Sequence, residues 1–511
     1  MKHSRTGSVT IFMSLMLMVI ASLLFTILEG SRIMMLGMTA VINSQSVTES
    51  IFAEYSVPAY ENYHLLMMDS SYGTGQLMLS KVNRKMQELG QENLSPTVKG
   101  FGTYTNFLQM HVTDSSVVRY ELATDQNAAP LLGQISQFMK KEFAADLAED
   151  LYKKMTDVQQ SDRQGEKADQ YLDGALDAIE RAKEEEKEEA NTQARKRART
   201  MAADYSAESE IENPMEDIKS AKSSPLLAQI LSGEDSISAK QISGEDSIER
   251  RMLNAGNYES SASSGITDKI LIIRYLNKYT SYYKNKNPLP HALDYEQEYI
   301  LFGKTSDEDN LNKMATRLLT IREGINFGYL MTDAAKREEA MAVAITIAAA
   351  AQIPAAVKAI QMGILASWAY AESIAELRTL FSGGKIAAVK TAESWTVSLA
   401  EAASVPFRNS VRSAEVNSGL DYKDYLQTFL AMENLNKIGK RLANILEKNL
   451  RLYAGYEQVK LDCMVTAMEA EHSYHAQQVF LTFVTISRLS KKGYHYKEQY
   501  RFSYIKEEER S

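Results

Sequence analysis

Three carboxylates fall close together in the stretch LDYEQEY, as Asp294, Glu296 and Glu298. On a helix, the i, i+4 spacing puts Asp294 and Glu298 on one face. A glycosidase needs two carboxyl groups facing each other across a cleft, roughly 5–10 Å apart. Local spacing does not supply that, so the trio is read as structural, with Glu298 or a neighbour bridging to Arg322 or Lys304. In EHSYH, Glu471, His472 and His475 would form a metal edge on a helix. On a strand the two rings diverge, and no third ligand stands in a convincing frame. Cys463 is the single cysteine. It excludes an internal disulfide and every multi-cysteine metal site, and it lies in an apolar alternation that suits a small core residue. Neither a nucleophile elbow nor a phosphate loop occurs, and Ser382-Gly383-Gly384 after a helical run reads as a helix stop. The sequence therefore assigns no catalytic, cofactor-binding or metal-binding residue and implies no cofactor.

The elements that carry these residues are mostly helical. Nine prolines in 511 residues, 44% hydrophobic and 24% charged residues and a net charge of −9 describe an ordinary globular balance with room for two or three domains. Without a basic face there is no reason to expect nucleic acid. The 27 tyrosines include the cluster Tyr275, Tyr279, Tyr282 and Tyr283, which is read as half-buried packing with polar tips.

The first residues locate the chain. Val9 to Leu28 contains no charge. As a helix it spans roughly 30 Å, the thickness of a bilayer's hydrocarbon core. A cleaved secretory signal has a shorter apolar run and a small-x-small end, which Thr26-Ile27-Leu28-Glu29-Gly30 lacks. Lys2, Arg5 and the terminal amine precede the run, while Glu29 and Arg32 roughly cancel. That bias places the N-terminus in the cytoplasm and the bulk of the chain outside. Small positions at Ala21, Ser22 and Thr26 suit helix packing and self-association in the bilayer. Ile33, Met34, Leu36, Met38, Val41 and Ile42 continue an amphipathic stripe, for packing on partner helices or on the chain's own domain.

Further on, helices are expected over 51–68, 76–90 and 128–154, and two strands over 104–112 and 116–122 around the turn TDSS. Residues 156–224 are rich in charge with almost no apolar face, a solvated helix or spacer. SGEDSI occurs at 232–237 and again at 243–248, with a Ser-to-Asp spacing that predicts two helix starts. Helices are expected over 269–283, 293–302, 307–331 and 422–454. The apolar run 340–377 is interrupted by Gln352, Pro354, Lys358 and Gln361, so it is read as a buried helical hairpin rather than a second membrane span. Alternation over 458–468 and 494–505 predicts strands that close a sheet with 104–122.

Two stretches, His291–Leu330 and Gly363–Trp395, together with the N-terminal GSVTIFMSLMLMVI, resemble an uncharacterised family of single-span surface proteins of Gram-positive anaerobes. That resemblance implies association with tight-adherence (Flp-type) pilus and secretion loci. The N-terminus also resembles the leader of TadE-type pseudopilins, with Gly7 as the residue before the cut and Ser8, Val9 and Thr10 as the mature start. The resemblance implies a Glu at the fifth mature position, where this chain has Phe12.

The expected fold is mainly α with a small β component (α+β): an N-terminal transmembrane helix and a helical extracytoplasmic domain with a small antiparallel sheet. The expected organisation is a cytoplasmic head at 1–8, a membrane helix at 9–28, an N-terminal extracytoplasmic region at 29–155, a charged spacer at 156–224 and a mainly helical domain at 225–511. The expected function is structural or interactive, within a pilus or secretion assembly at the cell membrane. The alternatives are a surface hydrolase with acidic active-site residues and an anchored sensor or scaffold.

Overall fold

An unbroken helix of 47 residues, α1 (Thr6–Phe52), opens the described chain. The computed structural model describes residues 6–95, 108–142, 170–178, 214–231, 236–258, 266–286, 288–350, 353–416, 419–480 and 493–505. They divide into two units. The first comprises Met1–Lys141, Ile248–Ser263 and Leu446–Ser511, and the second Glu142–Ser247 and Ser264–Ile445. Among the described residues, α1 alone is long and apolar enough to cross a membrane.

In the first unit, α1 is followed by α2 (Val57–Tyr63), β1 (Met68–Asp69), α3 (Leu79–Leu94), β2 (Met110–Leu122), α4 (Asp125–Glu142), β3 (Met464–Ala476) and β4 (Tyr494–Ser503). All strand pairings are antiparallel, and β3 is the central strand, pairing with β1, β2 and β4. Along β3 burial alternates from Glu469 onward, so one sheet face is packed and the other faces water. The packed face receives α1. Val47, Ile51 and Phe52 join Val82 and Met86 of α3 and Leu122, Val465 and Met468 of the sheet. Leu36 and Ala40 meet Met110, Val112, Tyr474 and Ala476. Polar positions of α1 are matched across the same contact. Ser44 Oγ lies 2.8 Å from Tyr474 Oη, and Thr48 Oγ1 lies 3.1 Å from His472 Nε2. Arg251 grips Glu447 with two nitrogens, at 2.6 and 2.7 Å, and reaches Asp462 at 2.5 Å. That ion cluster ties residues 248–258 to the C-terminal part of this unit.

The second unit is helical. It comprises α5 (170–178), α6 (Pro214–Lys222), α7 (Leu226–Ile230), α8 (Ile266–Tyr279), α9 (Glu296–Phe302), α10 (Asp307–Thr332), α11 (Ala334–Ala350), α12 (Val357–Ser382), α13 (Tyr422–Met432) and α14 (Leu435–Leu450), whose last turn leaves the unit after Ile445. Local signals start and stop these helices. Ser306 caps α10 by accepting from Asp309 N, and three acids occupy its first turn, favouring the positive end of the helix dipole. Asp421 and Asp424 form a reciprocal capping box on α13. Gly303 ends α9 at φ 69°. Gly383 ends α12 at φ 98°, and Gly384 N donates to Thr379 O, a left-handed stop that glycine adopts without a Cβ penalty.

α12 is the axis of this unit: every residue from Ile360 to Phe381 is buried. The chain breaks at Pro354, whose ring cannot continue α11, and α11 and α12 pack together as the expected hairpin. Two helices from within the charged segment pack here as well, with Leu172, Ala175, Met215, Ile218 and Ala221 buried.

Several expectations are corrected. Residues 51–68 are not one helix, because α1 stops at Phe52 and α2 restarts at Val57, with Pro58 in its first turn; between them Ser56 is extended and its N–H donates to Met67 O at 2.8 Å. TDSS is not a turn. β2 runs through it, with register irregularities at Val112/Asp114 and Val117/Arg119. Bulges of this kind absorb extra residues without ending a strand, and Ser115 turns inward to His472 Nδ1 at 3.0 Å. The second SGEDSI copy starts no helix. Downstream of it, Arg251 and Asn254 are held by Asp462 instead. The first copy's residues 232–235, the strand expectation over 104–107 and the helix expectation beyond 142 lie outside the described residues. Residues 458–463 are not strand; a 3-10 turn, Leu461–Cys463, leads into β3.

Both tryptophans, Trp368 and Trp395, belong to the second unit and donate to Val397 O, so their fluorescence reports on that unit. A Cβ at Gly363 would stand 2.5 Å from Ala175 Cβ and 2.6 Å from Met215 Sδ. Gly363→Val should therefore destabilise this unit by about 1–3 kcal/mol through overpacking, read as a lower denaturation midpoint by tryptophan fluorescence.

Candidate functional site

α1 has two apolar faces, and only one is covered. Leu36, Ala40, Ser44 and Val47 are buried against the sheet, and Asn43 is buried against α3, where it donates to Gly90 O at 3.1 Å. Met34, Met38 and Ile42 stand on another face with 74%, 66% and 62% of their surface exposed, flanked by exposed Met35 and Val41. Their i, i+4, i+8 spacing makes a continuous stripe. No charged residue occurs between Arg32 and Glu49.

This part of α1 is level with a water-facing sheet. Tyr496 Oη donates to Ile33 O at 3.1 Å, and the next residue of β4, Lys497, is exposed and pairs with Glu471 at 2.7 Å. Just before it, Glu29 and Arg32 form a buried pair at 2.8 Å. Val479 N and Phe480 N donate to Glu29 at 3.3 and 2.8 Å, and Arg32 donates to Leu108 O. The apolar stripe thus extends past the point where α1 first meets folded protein. Patches of this kind mark interaction surfaces.

Within the apolar run, Ala21 and Ser22 are half-buried and Thr26 is exposed. Ser22 Oγ bonds Val19 O at 2.9 Å and Thr26 Oγ1 bonds Ser22 O at 2.8 Å. Their hydroxyls are satisfied within the helix, so these positions suit an apolar neighbour. Gly7 and Ser8 fall in the first turn of α1, where only the backbone is described, and residues 1–5 lie outside the described residues.

The three acids of LDYEQEY do not share a helical face, because α9 begins only at Glu296. Asp294 pairs with Lys240 at 2.7 Å and Lys286 at 3.4 Å. Partial burial raises its pKa, but the two ammonium groups outweigh that and hold it below the usual range. Glu296 accepts from Ser281 N and Oγ and lies 2.8 Å from His291 Nδ1. Glu298 is fully buried, accepting from Tyr283 N at 3.0 Å and Tyr422 Oη at 2.7 Å. Burial pushes its carboxyl up to about 7, against the pull of those two bonds. The expected bridge to Arg322 is not formed.

Arg322 instead enters a buried charge network. Its Nε and Nη2 clamp Glu376 at 2.8 and 2.7 Å, and Nη1 reaches Tyr425 Oη at 3.2 Å. Lys390 Nζ bridges Glu376 at 2.7 Å and Glu372 at 2.5 Å. Glu372 also accepts from Thr396 N and Val397 N, and Asn326 donates to Glu376. Two anions and two cations balance. Against the burial that would raise it, Arg322 and Lys390 hold the Glu376 carboxyl down to about 2, while burial raises Glu372 despite Lys390. Two residues on, Arg378 donates to the carbonyls of Gln229, Val405, Arg408 and Val411, and burial lowers its guanidinium to about 10. Every carboxylate oxygen here is committed to a protein donor, so the network positions α10 and α12 rather than presenting an acid pair to a substrate. The i, i+4 pair Glu372 and Glu376 inside an apolar run was the available sequence signal.

The histidines separate as a strand requires. His472 points into the core, where burial lowers its imidazole to about 4 between Thr48 and Ser115. His475 points to the open face, beside His111 and His495. Cys463 is buried, and desolvation pushes its thiol up to about 12. Sequence spacing did not reveal the His111–His475–His495 row, because strand pairing creates it, and His111 comes to His475 from a distant part of the chain.

Residues 204–476 match the model of a family described as one of unknown function, DUF5702. No curated protein and no solved structure shows a significant match.

Two outcomes follow from this geometry, both read by tryptophan fluorescence during chemical denaturation of the full chain. Arg322→Met leaves Glu376 buried with half its counter-charge and should cost about 3–5 kcal/mol. Glu298 has a folded pKa raised above its unfolded value of 4.5. Its contribution to stability is fully present below pH 4.5 and is lost as pH rises through about 7. In Glu298→Gln that decline between pH 4.5 and 7 should be absent.

Proposed function

The chain belongs to the family of unknown function DUF5702, and from that premise we propose that it is a membrane-anchored structural or interaction protein of a tight-adherence (Flp-type) pilus or secretion assembly. The observation that carries this reading is the exposed stripe Met34, Met38 and Ile42 on α1. Val9 to Leu28 spans the bilayer of the cell membrane, with Lys2 and Arg5 on the cytoplasmic side. The stripe prolongs the lipid-facing surface by about two to three helical turns on the extracytoplasmic side. A surface continuous with the membrane segment and free of charge fits a helix anchored in the same membrane, so the partner is another membrane-anchored helix of the assembly. Ala21, Ser22 and Thr26 let the two helices approach inside the bilayer. The resemblance of the N-terminus to pseudopilin leaders supports the same setting, with cleavage between Gly7 and Ser8.

Single cysteines at Met34, Met38 and Ile42 test this in native membranes, since the one natural cysteine is buried. All three should crosslink to one membrane protein, whereas a cysteine at Gln499 on the open sheet face should not. Equal crosslinking at Gln499, or none along the stripe, removes the assembly role. Sequencing the mature N-terminus decides processing separately: a start at Ser8 is expected, and an intact terminus excludes pilin-type cleavage.

A further inference from the structure

We propose that the open face of the sheet in the first unit carries a binding site for a divalent transition ion of the zinc class, with His475 as its central ligand and His111 and His495 on either side. The proposal rests on register. His111 and His475 are direct partners across β2 and β3, and His475 and His495 are direct partners across β3 and β4. Three of the chain's seven histidines therefore form one row across three strands.

Their side chains share the water-facing side of the sheet. Tyr474 and Ala476, the neighbours of His475 on β3, are buried on the other side, while His111 and His495 are exposed and His475 is half-buried. The ring centroids are 5.0 Å apart for His111 and His475, and 4.8 Å apart for His475 and His495. Two imidazoles on one tetrahedral zinc, with Zn–N of about 2.0–2.1 Å, have centroids roughly 5 Å apart. Each neighbouring pair is thus spaced as a chelating pair.

A glycine frames the central ring. Gly493 sits at φ +59°, and a Cβ there would lie 2.5 Å from His475 Nε2. Any other residue would push into the imidazole's edge, so a glycine is what lets the loop end pack against that side of the central ring. Among the described residues no three ligand groups already converge on one point. The two outer rings stand on exposed strand positions and turn about χ1 and χ2 to meet an ion above His475. Imidazole nitrogens favour zinc, nickel and copper over magnesium or calcium. Three nitrogen ligands leave a fourth position for water. Bound there, the ion ties both outer strands to β3.

The test uses the full, untagged chain in detergent micelles, titrated with Zn2+ and with Co2+ as a spectroscopic probe. One equivalent should bind, with Co2+ giving the visible absorption of a tetrahedral nitrogen site. His475→Gln should weaken binding by about tenfold or more, and His111→Gln and His495→Gln should each weaken it measurably. Lys497→Gln, on the same face but outside the row, should bind as the parent does. Far-UV circular dichroism checks the fold, and the two exposed positions keep the test valid if His475→Gln disturbs the strand. Absence of saturable binding, or binding that all three glutamine variants retain, overturns the proposal.

Discussion

One helix has to satisfy two different surroundings. For its first half, α1 is apolar on every side. For its second half, it must hold one face against a sheet whose inward positions include Tyr474 and His472. The buried pair of Glu29 and Arg32 marks the change, and the backbone groups of Leu108, Val479 and Phe480 add hydrogen bonds to it. Burying two charges is costly unless geometry and partners are good, so this pair, held by groups from distant parts of the chain, sets where the folded unit begins along the helix. The register of α1 on the sheet, and with it the direction in which Met34, Met38 and Ile42 point, follows from that constraint.

The second unit solves a related problem in a different way. α12 is buried along its length and yet carries Glu372, Glu376 and Arg378. Each is matched: the two acids by Arg322 and Lys390, and Arg378 by a set of main-chain carbonyls. A buried network in which every ion is paired helps specify one arrangement of helices. Hydrophobic packing of an alanine-rich hairpin by itself is less discriminating, because small apolar surfaces slide past one another at little cost.

Local signals were legible wherever they act within a few residues. The helix stop at Gly383 and the break at Pro354 were readable because left-handed geometry and proline sterics are short-range. The bulges in β2 were not, because alternation on both sides of TDSS resembles two strands and a turn until β3 supplies a partner. The helix expected after the second SGEDSI failed for the same reason. Its residues Arg251 and Asn254 bind Asp462, more than two hundred positions away in the chain.

By itself the sequence determined the class of the fold, the long apolar helix at its start, the helical hairpin and the strands at its end. Composition and periodicity act on each segment independently of its neighbours. Which acids meet which cations, and which histidines stand in a row, was decided only by tertiary structure. Glu298 had two cations offered to it by spacing and took neither; it is held by Tyr283 and Tyr422. His475 looked like a partner of His472 three residues away, and the pleat put them on opposite faces. Its neighbours are His111 and His495, brought to it by hydrogen-bonded strand pairing, an interaction that depends on the register of the whole sheet and on no local pattern.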